Sequence, residues 1–237
     1  MKSVAVNPTI TIIAIAAATP TRIPSFLLDE KLDAKLFGSF IHTVLQRFGE
    51  NETMKNATDP LVIERALFDV LDCVAKEQLG PLLSGKVKIQ LELAKYRLSE
   101  FAKHQAQCAI EGWSILCSEK KVRKELTIDG TPFVISGVID RIEVHQDGRI
   151  RVLDYKTGSS TANKAHFNKD QWIDLQLPLY RILLAEIPEL NDFDTSKENV
   201  SLGYFKVGDQ ESEIGIDILT PPVAIEEKLQ DTIDGTI

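Results

Sequence analysis

"VRKELTIDGTPFVISGVIDRIEVHQDGRIRVLDYKTG", residues 122–158, is rich in β-branched residues and is interrupted twice by an Asp-Gly pair. Asp-Gly suits the tight hairpin turns whose central residues take positive φ. The stretch therefore reads as three antiparallel strands in a meander, with Gly158 releasing the third. Side chains alternate across a strand, so Ile150, Val152, Asp154 and Lys156 share one face of the third strand. On the second, Val138, Asp140, Ile142 and Val144 share a face in the same way. An aspartate among inward aliphatics is costly to bury unless its charge has a partner. The short QDG turn makes these strands neighbours and sets Asp140 beside Asp154. Two close carboxylates repel, and a divalent cation between them relieves the repulsion. A lysine next to such a pair can orient a water molecule or stabilise negative charge developing on a phosphate.

The tripeptide alone would not single out Lys156. An acidic residue two positions before a lysine occurs at 29–31, 33–35, 119–121, 154–156 and 226–228. Three of these lie in polar helical or linker sequence, and 119–121 reads as a charged turn. Only 154–156 ends a hydrophobic strand with a second aspartate one hairpin upstream.

Working outward, the N-terminal side is helical. Residues 29–50 carry apolar side chains at 36, 37, 40, 41, 44, 45 and 48, the spacing of one helix face, and stop near Gly49. Residues 60–80 repeat the logic between Pro60 and Gly80, and 86–113 contain no Gly or Pro before Gly112. Downstream, 168–186 reads as a helix that Pro178 kinks, followed by strands at "NVSLGYFKV" and "EIGIDILT". Helices, then three strands, a helix and further strands make an α/β fold with a mixed or antiparallel central sheet. The organisation is an N-terminal extension, 1–28, and one domain over 29–237, with a helical part at 29–120 and a sheet with its flanking helix at 121–220.

Composition sets the bounds. The 237 residues suffice for a sizeable core, and 43% apolar with 26% charged residues is ordinary for a soluble globular chain. The net charge of −8 gives the whole molecule no general attraction to nucleic acid or anionic lipid. The balance is uneven: residues 86–124 hold nine Lys/Arg against four Asp/Glu, and 187–237 hold three against twelve. Cys73, Cys108 and Cys117 have neither CxxC nor zinc-finger spacing, so a disulfide framework, a zinc knuckle and an iron–sulfur cluster are not expected; the sparse count fits a cytoplasmic location. The apolar run at 10–20 is too short to span a membrane. Its Ala16 and Ala18 resemble a cleavage site, but a single Lys2 is a weak leader start, which favours a buried strand or a misplaced start codon.

Four short patterns fall in order along the chain: Gly38 with His42 on a helix, Gly137 with Asp140 on a strand, Asp154 with Lys156 on the next, and Gln176 with Tyr180 on a helix. Each alone is weak. Together they resemble the successive motifs of the PD-(D/E)XK nuclease superfamily, G-x-x-x-H, GxxD, (D/E)xK and QxxxY. The closest type is the RecB-like domain at the C-terminus of bacterial RecB and AddB helicase–nuclease subunits, over about residues 36–206.

The resemblance implies a restriction-endonuclease-like core and a Mg²⁺- or Mn²⁺-dependent deoxyribonuclease. It implies metal ligation by His42, Asp140, Asp154 and the carbonyl of Tyr155, with Lys156 positioning or deprotonating the attacking water. Gln176 and Tyr180 would sit beside the catalytic strand. Arg123, Lys124, Lys164 and Lys169 are candidates for phosphate contact, although each is also an ordinary surface charge. The implied partners are DNA ends or single strands and a helicase, in recombinational repair. Two departures stand out: residues 1–28 lack the YxxCPxxF-like opening of many members, and no Walker A motif is present. A catalytically silent module that binds DNA or a helicase is the alternative, against which both acids and the lysine argue; an interaction scaffold is a third reading.

Overall fold

The computed structural model describes residues 31–81, 83–128, 131–168 and 171–222. The extension at 1–28, the first Asp-Gly turn and Lys169 lie outside the described residues. Three helices come first, and each starts on a side-chain cap. In α1 (Ala34–Gly49), Asp33 accepts from the backbone N–H of Leu36. In α2 (Pro60–Leu79), Asp59 caps and Pro60 occupies the first turn, where its missing N–H has no intrahelical role. In α3 (Gly85–Ile110), Ser84 caps.

The sheet follows: β1 (Trp113–Ile128), β2 (Thr131–His145) and β3 (Ile150–Lys156). After α4 (Ala162–His166), a small hairpin of β4 (Phe167–Asn168) and β5 (Gln171–Trp172) precedes α5 (Gln176–Leu183). The strands β6 (Val200–Val207) and β7 (Ile214–Ile218) complete the order among the described residues. The five-stranded sheet runs β1-β2-β3-β6-β7, parallel only between β3 and β6 and antiparallel elsewhere. This is the expected mixed α/β core with its antiparallel meander and helical N-terminal half.

Two apolar layers cover the sheet. On one face Leu153, Tyr155, Phe205 and Val207 pack with α1, α2 and α3. On the other, Ile150, Val152 and Tyr204 pack with Leu177 and Tyr180 of α5. Strict alternation along β2 breaks near Asp140, because Ile139 and Ile142 join the same layer although they are three residues apart. The β1 strand is irregular too, with a register shift between Ile115 and Cys117 and with Glu119 at φ 49.

Three expectations change here. The stretch 119–121 is not a turn: β1 begins nine residues earlier than its regular alternation suggests, and the bulged segment obscures the period. The helix expected over 168–186 is far shorter. Residues 167–172 turn back as a hairpin, Asp174 accepts from the Gln176 N–H at 2.8 Å, and Pro178 falls in the first turn of α5 instead of kinking a long helix. Val138, Asp140, Ile142 and Val144 do not form one uninterrupted face, since the break at Asp140 intervenes.

Candidate active site

Helix α1 lies close against the strand ends because two of its glycines leave room. A Cβ on Gly38 would stand 3.2 Å from Thr157 Oγ1, just past β3, and one on Gly49 would clash with Ser118 Oγ of β1. These glycines are eleven residues apart, three turns, and so share a face. His42 lies one turn beyond Gly38 on the same side and reaches into the sheet.

Its imidazole is held between two carboxylates. His42 Nε2 is 2.7 Å from Asp140 Oδ2, and Nδ1 is 3.3 Å from Glu119 Oε1. Asp140 Oδ2 also accepts from the backbone N–H of Tyr155, at 2.9 Å, which ties β2 to β3 at the site. Asp154, buried like Asp140, points to the opposite side of the strand from Tyr155, toward α5. There Gln176 Nε2 donates to Asp154 Oδ1 at 2.8 Å and contacts the Tyr180 hydroxyl at 2.9 Å. The Tyr180 hydroxyl donates to the Val138 carbonyl at 2.8 Å. The Gln–Tyr pair, one turn apart on α5, thus fixes both acid-bearing strands. Lys156 Nζ stands 2.5 Å from Asp154 Oδ2 and over the Tyr204 ring.

Burial and charge act together on this group. Desolvation opposes a charge on His42, yet the hydrogen bond and charge of Asp140, with Glu119 and Asp154, raise its pKa to about 9. Burial, then the Asp140 charge, pushes Glu119 up to about 7 against the pull of His42. Burial and Asp140 likewise push Asp154 to about 7 despite Lys156. For both carboxyls burial is the larger cause, and the neighbouring Asp140 charge adds to it. Orphaned atoms belong to the same group: His42 Nδ1, Glu119 Oε1 and Asp154 Oδ2 are buried without a partner of hydrogen-bond geometry. One ligand atom each from His42, Glu119 and Asp140 lies within 4.8 Å of the others. Two carboxylates and an imidazole form a donor set that suits Mg²⁺ or Mn²⁺, so the residues fit a divalent cation.

His42, Asp140, Asp154, Lys156, Gln176 and Tyr180 all line one cleft of about 570 Å³ between α1 and α5. Tyr155 joins through its backbone; its side chain lies on the far face, where Arg141 Nη1 reaches the hydroxyl at 3.3 Å. The proposed phosphate contacts are placed differently. Arg123 pairs with Glu125 at 2.8 Å, Lys124 with Glu186 at 3.2 Å, and Lys164 is exposed on α4. None of these three lines the cleft, whereas Lys35 of α1 does. Lys35 and Glu119 escaped the reading of the sequence. Lys35 could have been found, since it lies on α1 seven residues before His42 and thus two turns away on the same side. Glu119 belongs to one of the discarded acid-x-lysine tripeptides, and the positive φ of its backbone accompanies its inward aim.

The sequence pattern of the PD-(D/E)XK nuclease superfamily matches residues 17–235. An uncharacterised protein of Rickettsia bellii (strain RML369-C) is 25% identical over 189 residues, covering 72% of this chain and 21% of the relative. One from Rickettsia felis (strain ATCC VR-1525 / URRWXCal2) is 28% identical over 177 residues, covering 71% and 19%. The chain therefore spans about a fifth of the length of the curated relatives it matches. The solved structure of SSO0001 covers 82% of this chain and 84% of its own at 15% identity and a TM-score of 0.28, a likeness that carries no weight for fold or activity. With the family pattern matched over almost the whole chain, this protein belongs to the PD-(D/E)XK nuclease superfamily.

Proposed function

We propose that the protein is a metal-dependent deoxyribonuclease of the RecB/AddB-like type, which hydrolyses DNA from ends or along single strands. The supporting observation is the convergence of His42, Asp140, Asp154 and Lys156 in one cleft, where the buried Asp154 Oδ2 has no hydrogen-bond partner and faces the Lys156 ammonium. A divalent cation held by these residues would lower the pKa of a water molecule and neutralise charge on the scissile phosphate.

The chain's own residues do the positioning. Gln176 holds Asp154 Oδ1, which leaves Oδ2 directed at the cleft and at Lys156. The Lys156 ammonium, partly exposed and anchored over Tyr204, can donate to the attacking water or to the charge that develops on phosphate oxygen. Asp140 is fixed from two sides by His42 and the Tyr155 N–H, so its geometry does not have to be reached during the reaction. Lys35 at the rim supplies a phosphate contact. Ile135, Leu175 and Leu179 give the cleft an apolar wall suited to the face of an unpaired base. Work in recombinational repair beside a helicase belongs to the same reading; the matched segment makes up about a fifth of each longer relative, as a nuclease module in a larger machine would.

The test compares topologies. With Mn²⁺ present, linear duplex and linear single-stranded DNA should be degraded, and covalently closed duplex should persist. Cutting of closed duplex at the linear rate would contradict the preference for ends. DNA bound but never cut would favour the catalytically silent alternative.

A further inference from the structure

We propose that Glu119 is a ligand of the metal centre, holding the cation together with His42 and Asp140 on the α1 side of the site. The inference rests on the metal-dependent reading above and adds a donor that lies outside the four motifs. Glu119 sits opposite Asp140 in the β1–β2 ladder, between the pairs Ser118–Arg141 and Lys120–Ile139. Residues on a regular strand would alternate past this point, but the φ of 49 at Glu119 turns its side chain toward His42.

The side chain is nine-tenths buried, with 9% of its surface exposed. Its Oε1 lies 3.3 Å from His42 Nδ1 but outside hydrogen-bond geometry, and neither atom has another hydrogen-bond partner. A carboxylate kept in place only as the counter-charge of an imidazolium would be expected to close that hydrogen bond, because a buried oxygen left unmade is costly. A spacing of 3.3 Å without a hydrogen bond is one that neighbouring ligands of a single cation can take, with the ion beside the pair. Asp140 completes the set, with one oxygen, nitrogen or carboxylate ligand atom from each residue inside 4.8 Å. Among the described residues this is the one His/Cys/Asp/Glu group so arranged. Asp154 is outside it: Gln176 holds its Oδ1, and Oδ2 faces the Lys156 ammonium. The imidazole in the set favours Mn²⁺ over the harder Mg²⁺.

Mn²⁺ is titrated into the whole chain by calorimetry, with no DNA present, for wild type, Glu119→Gln, Glu119→Asp and the surface control Glu125→Gln. The expected result is Mn²⁺ affinity lowered on the order of tenfold or more in Glu119→Gln, since even partners that only orient a ligand contribute that much. Glu119→Asp, which keeps the charge on a shorter arm, should fall between, and Glu125→Gln should match wild type. If Glu119→Gln does not fold, the Asp variant decides: weaker binding supports ligation and unchanged binding overturns it. Wild-type affinity in both Glu119 variants overturns the inference alone. A wild-type chain that binds no Mn²⁺ overturns it together with the metal-dependent reading.

Discussion

His42 carries two opposed demands, because it is half-buried and yet lies between the carboxylates of Asp140 and Glu119. Without metal the carboxylates win, and its pKa rises from 6.5 to about 9. A raised folded-state pKa means that protonation favours the fold. The stabilisation is complete below about 6.5 and disappears as pH climbs through about 9. In EDTA, thermal unfolding of wild type should therefore fall more steeply between pH 7 and 9.5 than that of His42→Gln; parallel curves would contradict the assignment. Gln176 makes a simpler case. Gln176→Leu leaves Asp154 Oδ1 buried without its donor, a loss of about 1–3 kcal/mol in stability. It should also reduce turnover by at least an order of magnitude, while Arg123→Ala, outside the cleft, should leave turnover within about twofold; calorimetry and single-turnover cleavage measure the two effects. At this scale Asp140, Asp154 and Lys156 were legible from two paired strands that carry acids among aliphatics, whereas His42, Gln176 and Tyr180 were legible only through the ordered motifs that resemble the family. Glu119 was not: its inward aim depends on one backbone angle that no side-chain pattern encodes.

The elements show where periodicity is informative and where it fails. Helices α1 and α2 carry clear apolar periods, α3 shows as a long run without Gly or Pro, and strands β2, β3, β6 and β7 follow the expected segments although β2 breaks alternation near Asp140. Strand β1 hides because its bulge breaks alternation, and α5 is overextended because 167–172 supplies apolar residues to a hairpin. The contact of α1 with β1 is set by Gly49, whose added Cβ would meet Ser118 Oγ well inside van der Waals distance. Gly49→Ala should cost about 1–3 kcal/mol and disturb the neighbouring Glu119, read as a lower denaturant midpoint. Gly38→Ala, with 3.2 Å to one side-chain oxygen, should be the milder change. Beneath the site Arg141, fully buried, pairs with Glu143, which also accepts from Arg151 at 2.6 Å. Gln105 of α3 accepts from the same Arg141, so the network ties the long helix to β2 and β3. Glu143→Ala would leave two buried guanidinium groups without their carboxylate, at a cost of about 3–5 kcal/mol. Urea unfolding of that variant gives the comparison.

For the whole molecule, charge is the governing quantity. A chain of net charge −8 repels DNA at long range, and the cleft offers Lys35 and Lys156 as its lysines. Binding of single-stranded DNA by the chain alone should be weak, with log K falling against log salt at a slope of about 1–2. Fluorescence anisotropy across a salt series reads that slope, and a slope above about 4 would mean a wider basic surface than the cleft provides. Such weak binding is consistent with a module that is handed its substrate, as the proposed helicase partnership requires. Among the described residues no helix is long and apolar enough to cross a membrane.

The central claim is that Asp140, Asp154 and Lys156 form a metal-dependent phosphodiesterase centre. Cleavage of labelled linear DNA should be followed with Mn²⁺, with Mg²⁺ and in EDTA, for wild type, Asp154→Asn and Lys156→Ala, after each variant's fold is verified by its melting transition. Wild type should cut with either metal and not in EDTA, and both variants should lose at least 100-fold in rate, the order expected when a catalytic acid–base or charge-stabilising group is removed. Cleavage by wild type that survives EDTA, or folded variants that cut at the wild-type rate, would contradict the account.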